Sequence, residues 1–149
     1  MATHGLPTWP WADTPADDLP PAERLLLEAM RRWAAAARAG HPPLPALRPP
    51  LIAEDAAAAI APLNALLHGL AAWQPLPLGC PLCPDVAAEE AQLLLGCALV
   101  QRGARREGLA LLLRWLPPAQ AYAAMPAVIH LGAALRQAGL VLRNPLRPR

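Results

Sequence analysis

The stretch Pro21-Ala-Glu-Arg-Leu-Leu-Leu-Glu-Ala-Met-Arg-Arg-Trp-Ala-Ala-Ala-Ala-Arg-Ala39, followed by Gly40, decides the fold class. Leu26, Met30, Trp33 and Ala37 fall at i, i+4, i+7 and i+11, which is one buried stripe of a helix. Arg24, Glu28 and Arg32 are i, i+4 partners on the wet side, each pair adding about 0.2–0.5 kcal/mol. Pro20-Pro21 suits a helix start, and Gly40 suits the left-handed residue just past the end. Asp17 and Asp18 lie upstream, where the positive end of the helix dipole favours them. The spacing predicts a helix over residues 21–39.

The same pattern recurs along the chain. A second helix is expected over residues 53–73, with Glu54 and Asp55 in its first turn. Ile60, Leu63, Leu67 and Leu70 form its stripe, Leu66 and Trp73 widen it, and Pro62 should kink or split it near Ala61. A third is expected over 86–102, capped by Asp85, with Leu93, Cys97 and Val100 on one face and Gly103 closing it. A fourth, over 104–116, presents Leu109, Leu112, Leu113 and Leu116 and stops at Pro117-Pro118. The fifth has a first piece over 119–124 and restarts at Pro126. It carries Val128, Leu131 and Leu135 inward and ends at Gly139, with Leu140 placed for an apolar contact.

Between the first two helices, His41 to Pro50 reads as a rigid Pro-rich link. No stretch shows sustained period-two alternation, so no sheet is expected. The expected fold is all-α, an irregular bundle of about five helices with Pro-rich connections and flexible termini. Residues 1–20 read as an extended arm whose Trp9 and Trp11 could dock on the domain or on a second subunit. Residues 21–142 form a single helical domain, and 143–149 a basic, Pro-broken tail.

Composition narrows the chemistry more than it directs it. At 149 residues, one domain burying about 70% of its unfolded surface is expected. The chain has no Lys, no Ser and no Phe, and all 13 of its basic residues are Arg. Without Ser there is no serine nucleophile. Without Lys there is no Schiff-base or phosphate-loop lysine. A nucleophile would have to be Cys, Thr or a carboxylate, and no Gly-rich phosphate cradle is present.

A net charge of +2 points to neither nucleic acid nor membrane. The uncharged stretches Ala56–Pro84 and Trp115–Leu135 are broken by Pro, Gln, His or Asn and are too rich in Ala to read as membrane spans. Residues 1–20 lack the basic start and apolar run of a secretory signal. With three Cys and no such signal, a reducing cytoplasm is expected, where structural disulfides are rare.

Gly79-Cys80-Pro81-Leu82-Cys83-Pro84-Asp85 is the one place where reactive side chains sit at a usable spacing. Two thiols at C-x-x-C spacing can bind one metal ion or close a small disulfide. Cys83 stands just before a helix start, where backbone donors lower a thiol pKa. Zinc would need two further ligands. Cys97 lies about a dozen residues along the helix, ~18 Å away at 1.5 Å per residue, and so reads as a small apolar core residue. That leaves His41, His68 and His130, or the same thiol pair from a second subunit. Glu89 and Glu90 point about 100° apart on a helix. Glu90, four residues before Leu94, could face inward, although a solvated helix start is the expected role of both. Arg102, Arg105 and Arg106 cluster at the turn between the third and fourth helices and could bind an anion.

Two resemblances are visible. Leu95-Gly96-Cys97-Ala98-Leu99 and Gly103 are echoed 36 residues later by Leu131-Gly132-Ala133-Ala134-Leu135 and Gly139. The spacing of Gly96, Leu99, Gly103 and Gly108 is similar to a tetratricopeptide-type hairpin over about 45 residues. Gln92 holds its bulky first position, and the second unit lacks a second helix, so the echo marks packed helical hairpins and not a family. The C-x-x-C in an all-α setting also resembles the alkylhydroperoxidase D family. There a His follows the second Cys by three residues. Val86 occupies that position here, the proton relay has no occupant, and no activity is carried over.

The expectation from sequence is a small cytoplasmic protein-interaction or accessory module that forms a homo-oligomer or binds a protein partner. No nucleic acid, membrane or catalytic constellation is implied. The alternative is a C-x-x-C thiol-redox or zinc-binding helical protein.

Overall fold

The structure, a computed structural model, describes residues 10–143. Trp9 and the tail beyond Arg143 lie outside the described residues. Six α-helices follow one another: α1 (Pro21–Arg38), α2 (Leu44–Ala53), α3 (Ile60–Ala71), α4 (Ala88–Gln101), α5 (Arg105–Leu112) and α6 (Pro118–Gln137). There are no strands among the described residues, so the all-α expectation holds.

Helix α1 forms where its pattern placed it, but it is buried more widely than one stripe. Leu25, Leu26, Leu27, Ala29, Met30, Trp33 and Ala34 are all inside, and only Arg24, Glu28 and Arg32 keep a wet edge along this stretch. Ala37, expected inside, is exposed. Helix α1 packs along α2 and also meets α3 and α4, while α6 packs against both α3 and α4. Contact with three other helices explains why its buried face is wider than one stripe.

The Pro-rich link is the largest departure from expectation. Residues 44–53 form α2, although Pro49 and Pro50 stand inside it. Proline in a helix interior removes a hydrogen bond and clashes with the preceding turn. Leu47 and Leu51 are fully buried, and this tertiary packing outweighs the local cost. Glu54 and Asp55 therefore end α2 and do not start a helix; Asp55 adopts a left-handed φ of 55°. The expected second helix is cut at this point. Helix α3 starts at Ile60, which puts Pro62 in its first turn, where no intrahelical donor is lost. Trp73 lies past the end of α3, half-exposed, and does not widen its stripe.

Two other boundaries moved. Helix α6 runs unbroken through Pro126. Pro126 is exposed, and Tyr122, whose carbonyl it deprives of a donor, is 63% exposed, so water can serve that carbonyl. Helix α5 ends at Leu112, leaving Leu113 exposed and Trp115 buried. The helix-closing glycines behave as expected: Gly103 and Gly139 take φ of 90° and 80°. Leu140 follows with its N–H on the Leu135 carbonyl at 2.8 Å.

The α4–α5 hairpin is held close by Gly108, where a Cβ would overlap Val100 Cγ2. Among the described residues no helix is long and apolar enough to cross a membrane.

Candidate functional site

Residues 72–87 connect α3 to α4 without regular structure, yet their backbone is held at many points. The holding side chains come from α1. Arg31 and Arg38 are seven residues apart and so share a face. Arg38 Nη2 donates to the carbonyls of Leu76 and Leu78 at 2.9 and 2.6 Å. Arg31 donates through Nη1 to the Cys83 carbonyl at 2.7 Å and through Nη2 to the Asp85 carbonyl at 2.9 Å.

Arg31 is also bound side-on by Glu90 of α4, Nε to Oε2 and Nη2 to Oε1, both at 2.8 Å. The pair is buried, with side-chain exposures of 3% and 0%. Glu90 then accepts two backbone donors, Gly79 N–H on Oε2 and Ala87 N–H on Oε1, each at 2.9 Å. Besides the two bonds that join them, the pair's hydrogen bonds thus go to the backbone of one segment, Gly79 to Ala87. Burial raises the Glu90 pKa, but the Arg31 bonds and the two backbone donors outweigh it and hold the carboxyl below its ordinary value.

The other flank of the segment is covered by the chain's beginning. Asp13 N–H donates to the Val86 carbonyl at 2.9 Å and Val86 N–H to the Thr14 carbonyl at 2.9 Å, while Ala16 N–H reaches the Pro84 carbonyl at 2.7 Å. Residues 10–16 are therefore docked on the domain, with Trp11 packed against the core at a left-handed φ of 71°.

The thiols sit at the apex of this braced segment. Cys83 N–H donates to the Cys80 carbonyl at 3.1 Å, closing a turn. Cys80 N–H points at Cys83 Sγ at 3.1 Å, and the two Sγ atoms are 2.8 Å apart, with either thiol able to donate. Cys80 is exposed and Cys83 partly covered. The hydrogen bond from Cys83 lowers the Cys80 pKa, helped by the Leu82 backbone N–H and the Arg31 charge. The same bond raises Cys83. Cys80 is the thiol that ionises first. Gly79 fits closely beside them: a Cβ there would stand 3.3 Å from Cys83 Cβ and Sγ.

The remaining sequence candidates are scattered. Cys97 is buried in the core, and burial pushes its thiol up to about 12. His68 stands edge-on to the Trp33 ring at 5.0 Å, and His41 and His130 are exposed on the linker after α1 and on α6. Among the described residues no three His, Cys, Asp or Glu side chains stand together as a metal-binding group. Within one chain the thiol pair alone could offer soft ligands. Arg102 spends its Nε and Nη2 on the Leu142 carbonyl, at 3.3 and 3.2 Å. Arg105 and Arg106 are exposed in the first turn of α5.

Two expectations near the site are corrected. Glu90 is not a solvated helix start, because it is fully buried against Arg31. Asp85 does not cap α4; the helix begins at Ala88 with Ala87 as its cap residue, and Glu90 reaches back to the Ala87 N–H. Sequence reasoning also missed Arg31. Its signal was present: Leu27, Arg31 and Ala34 share an apolar stripe, so an arginine there needed a buried partner. Compared with known protein families, curated proteins and solved structures, the chain matches none of them.

Proposed function

We propose that this chain is a small helical thiol–disulfide exchange protein acting through Cys80 and Cys83. The observation that carries the reading is the pair of Sγ atoms 2.8 Å apart at the exposed apex of a segment whose ends are anchored by a buried ion pair. A disulfide needs a sulfur separation of about 2.05 Å, so closing it demands a sulfur movement of under about 1 Å and little backbone change. The Cys80 thiolate attacks one sulfur of a substrate disulfide and releases the other as a thiolate. Cys83 then attacks Cys80 in the mixed disulfide and releases the second substrate thiol. Two protein thiols become one disulfide, and one substrate disulfide becomes two thiols. Protons and electrons balance.

The test is a redox titration of the purified chain in dithiothreitol buffers, with each cysteine varied in turn. A reversible two-electron couple should appear that is abolished by Cys80→Ala. With a neutral disulfide, Cys83→Ala should accumulate a mixed disulfide on Cys80. Absence of any couple, or one zinc ion held tightly between two chains by four thiolates, would replace this reading.

A second reading, a self-associating interaction module, draws support from large exposed apolar side chains, Leu82 at 91%, Tyr122 at 63%, Ile52 at 53% and Trp73 at 52%. Sedimentation at increasing concentration tests it; a strict monomer ends it.

A further inference from the structure

Resting on the dithiol reading, the structure assigns a substrate class to it. An open cavity of about 310 Å³ lies beside the thiol turn, and Pro81 and Leu82 form one of its walls. That volume is at the small end of ligand pockets, roughly 300–1,000 Å³. The opposite wall is the wet edge of α1, with Arg24, Glu28 and Arg32 on the lining and Asp17 across from Arg24. Neither sulfur is on the lining, but Pro81 and Leu82 are the two residues between Cys80 and Cys83. Arg31, also on the lining, holds the Cys83 carbonyl, so the thiols stand next to the cavity wall.

The charges alternate along that wall. Arg24, Glu28 and Arg32 are successive i, i+4 positions, so a cation, an anion and a cation follow one another over ~12 Å at 1.5 Å per residue. Arg24 touches Asp17 only at 3.7 Å, and its side chain is 59% exposed. Arg32 and Glu28 pair at 2.9 Å with both side chains more than 40% exposed. Exposed ion pairs of this kind are weak and readily exchange partners.

We propose that this groove binds the disulfide of a short zwitterionic peptide thiol of the glutathione class. The two carboxylates of one half lie on Arg24 and Arg32, and the amino group of that half lies on Glu28. A groove bounded by weak ion pairs of both signs complements a ligand carrying both signs, and it is too small for a folded partner. Binding sets a substrate sulfur beside Cys80. The exchange then runs as above, with two molecules of the peptide thiol as product.

The experiment follows the oxidation of the reduced full chain by intact-mass measurement with three oxidants: glutathione disulfide, the neutral bis(2-hydroxyethyl) disulfide, and insulin as a polypeptide disulfide. Each rate is divided by the same oxidant's rate with dithiothreitol. Glutathione disulfide should show the largest normalised rate. Arg24→Ala and Arg32→Ala should each lower it by about threefold and leave the neutral disulfide unchanged. Arg48→Ala removes the same charge from an exposed site on α2 outside the groove and should leave all three rates unchanged.

Equal rates in the groove variants, or a larger normalised rate with insulin or the neutral disulfide, overturn the groove assignment while the dithiol reading stands. If none of the oxidants joins Cys80 to Cys83, the dithiol reading itself falls.

Discussion

Arg31 of α1 and Glu90 of α4 face each other through two bonds of 2.8 Å, buried, and 59 residues apart in sequence. Their remaining hydrogen-bonding capacity goes to the backbone at Gly79, Cys83, Asp85 and Ala87. One ion pair therefore joins two helices and shapes the thiol turn between them.

Removing one member should be costly, because both side chains are buried. Glu90→Ala leaves a buried guanidinium without its counter-charge, and a loss of about 3–5 kcal/mol is expected. Arg31→Leu strands the carboxylate and should cost a similar amount. The double variant should fall short of the sum by about 2 kcal/mol. Denaturant unfolding of the four proteins checks this; strict additivity would mean the pair is not coupled.

The two fully buried carboxylates should respond to pH with opposite signs. Glu90 is held below its ordinary 4.5, so its contribution is present above pH 4.5 and is lost as pH falls through the lower folded value. Glu23 is pushed above 4.5 by burial, despite accepting the Arg143 N–H at 3.1 Å. Its contribution is full below pH 4.5 and is lost as pH rises through the raised folded value. Its Oε1 has no partner among the described residues. On acidification from pH 7, wild type should gain stability relative to Glu23→Gln and lose it relative to Glu90→Gln. Unfolding at a series of pH values separates them; profiles that move together contradict the assignment.

Gly79→Ala tests the packing beneath the thiols. The new Cβ would press on Cys83 Cβ and Sγ at 3.3 Å. A loss of about 1–3 kcal/mol is expected, together with a Cys80 pKa that moves back up as its hydrogen bond from Cys83 is disturbed. Thiolate absorbance against pH reads the second effect, and an unshifted Cys80 would show that the close contact does not set its acidity.

Cys97 should be inert in the folded chain. Burial drives its thiol up to about 12, whereas Cys80 is exposed and lowered. Native-state alkylation with peptide mapping should modify Cys80 fastest and reach Cys97 only on unfolding. Rapid native labelling of Cys97 would place it outside the core.

Much of the architecture was legible from local chemistry. Helical periodicity located α1, the buried faces of α3, α4 and α6, and the closures at Gly103 and Gly139, because these depend on residues three or four apart. Tertiary packing decided the rest. Leu47 and Leu51 buried against the rest of the bundle hold a helix through Pro49 and Pro50, and solvent access at Tyr122 lets α6 continue through Pro126. C-x-x-C spacing alone marked Cys80 and Cys83 as a pair, and helix length alone separated Cys97 from them. What braces the pair was only half readable: the apolar stripe of Arg31 called for a buried partner and Glu90 could face inward, but nothing local says that each is the other's partner. Burying either charge alone is prohibitive, and only the juxtaposition of α1 and α4 lets each offset the other's desolvation.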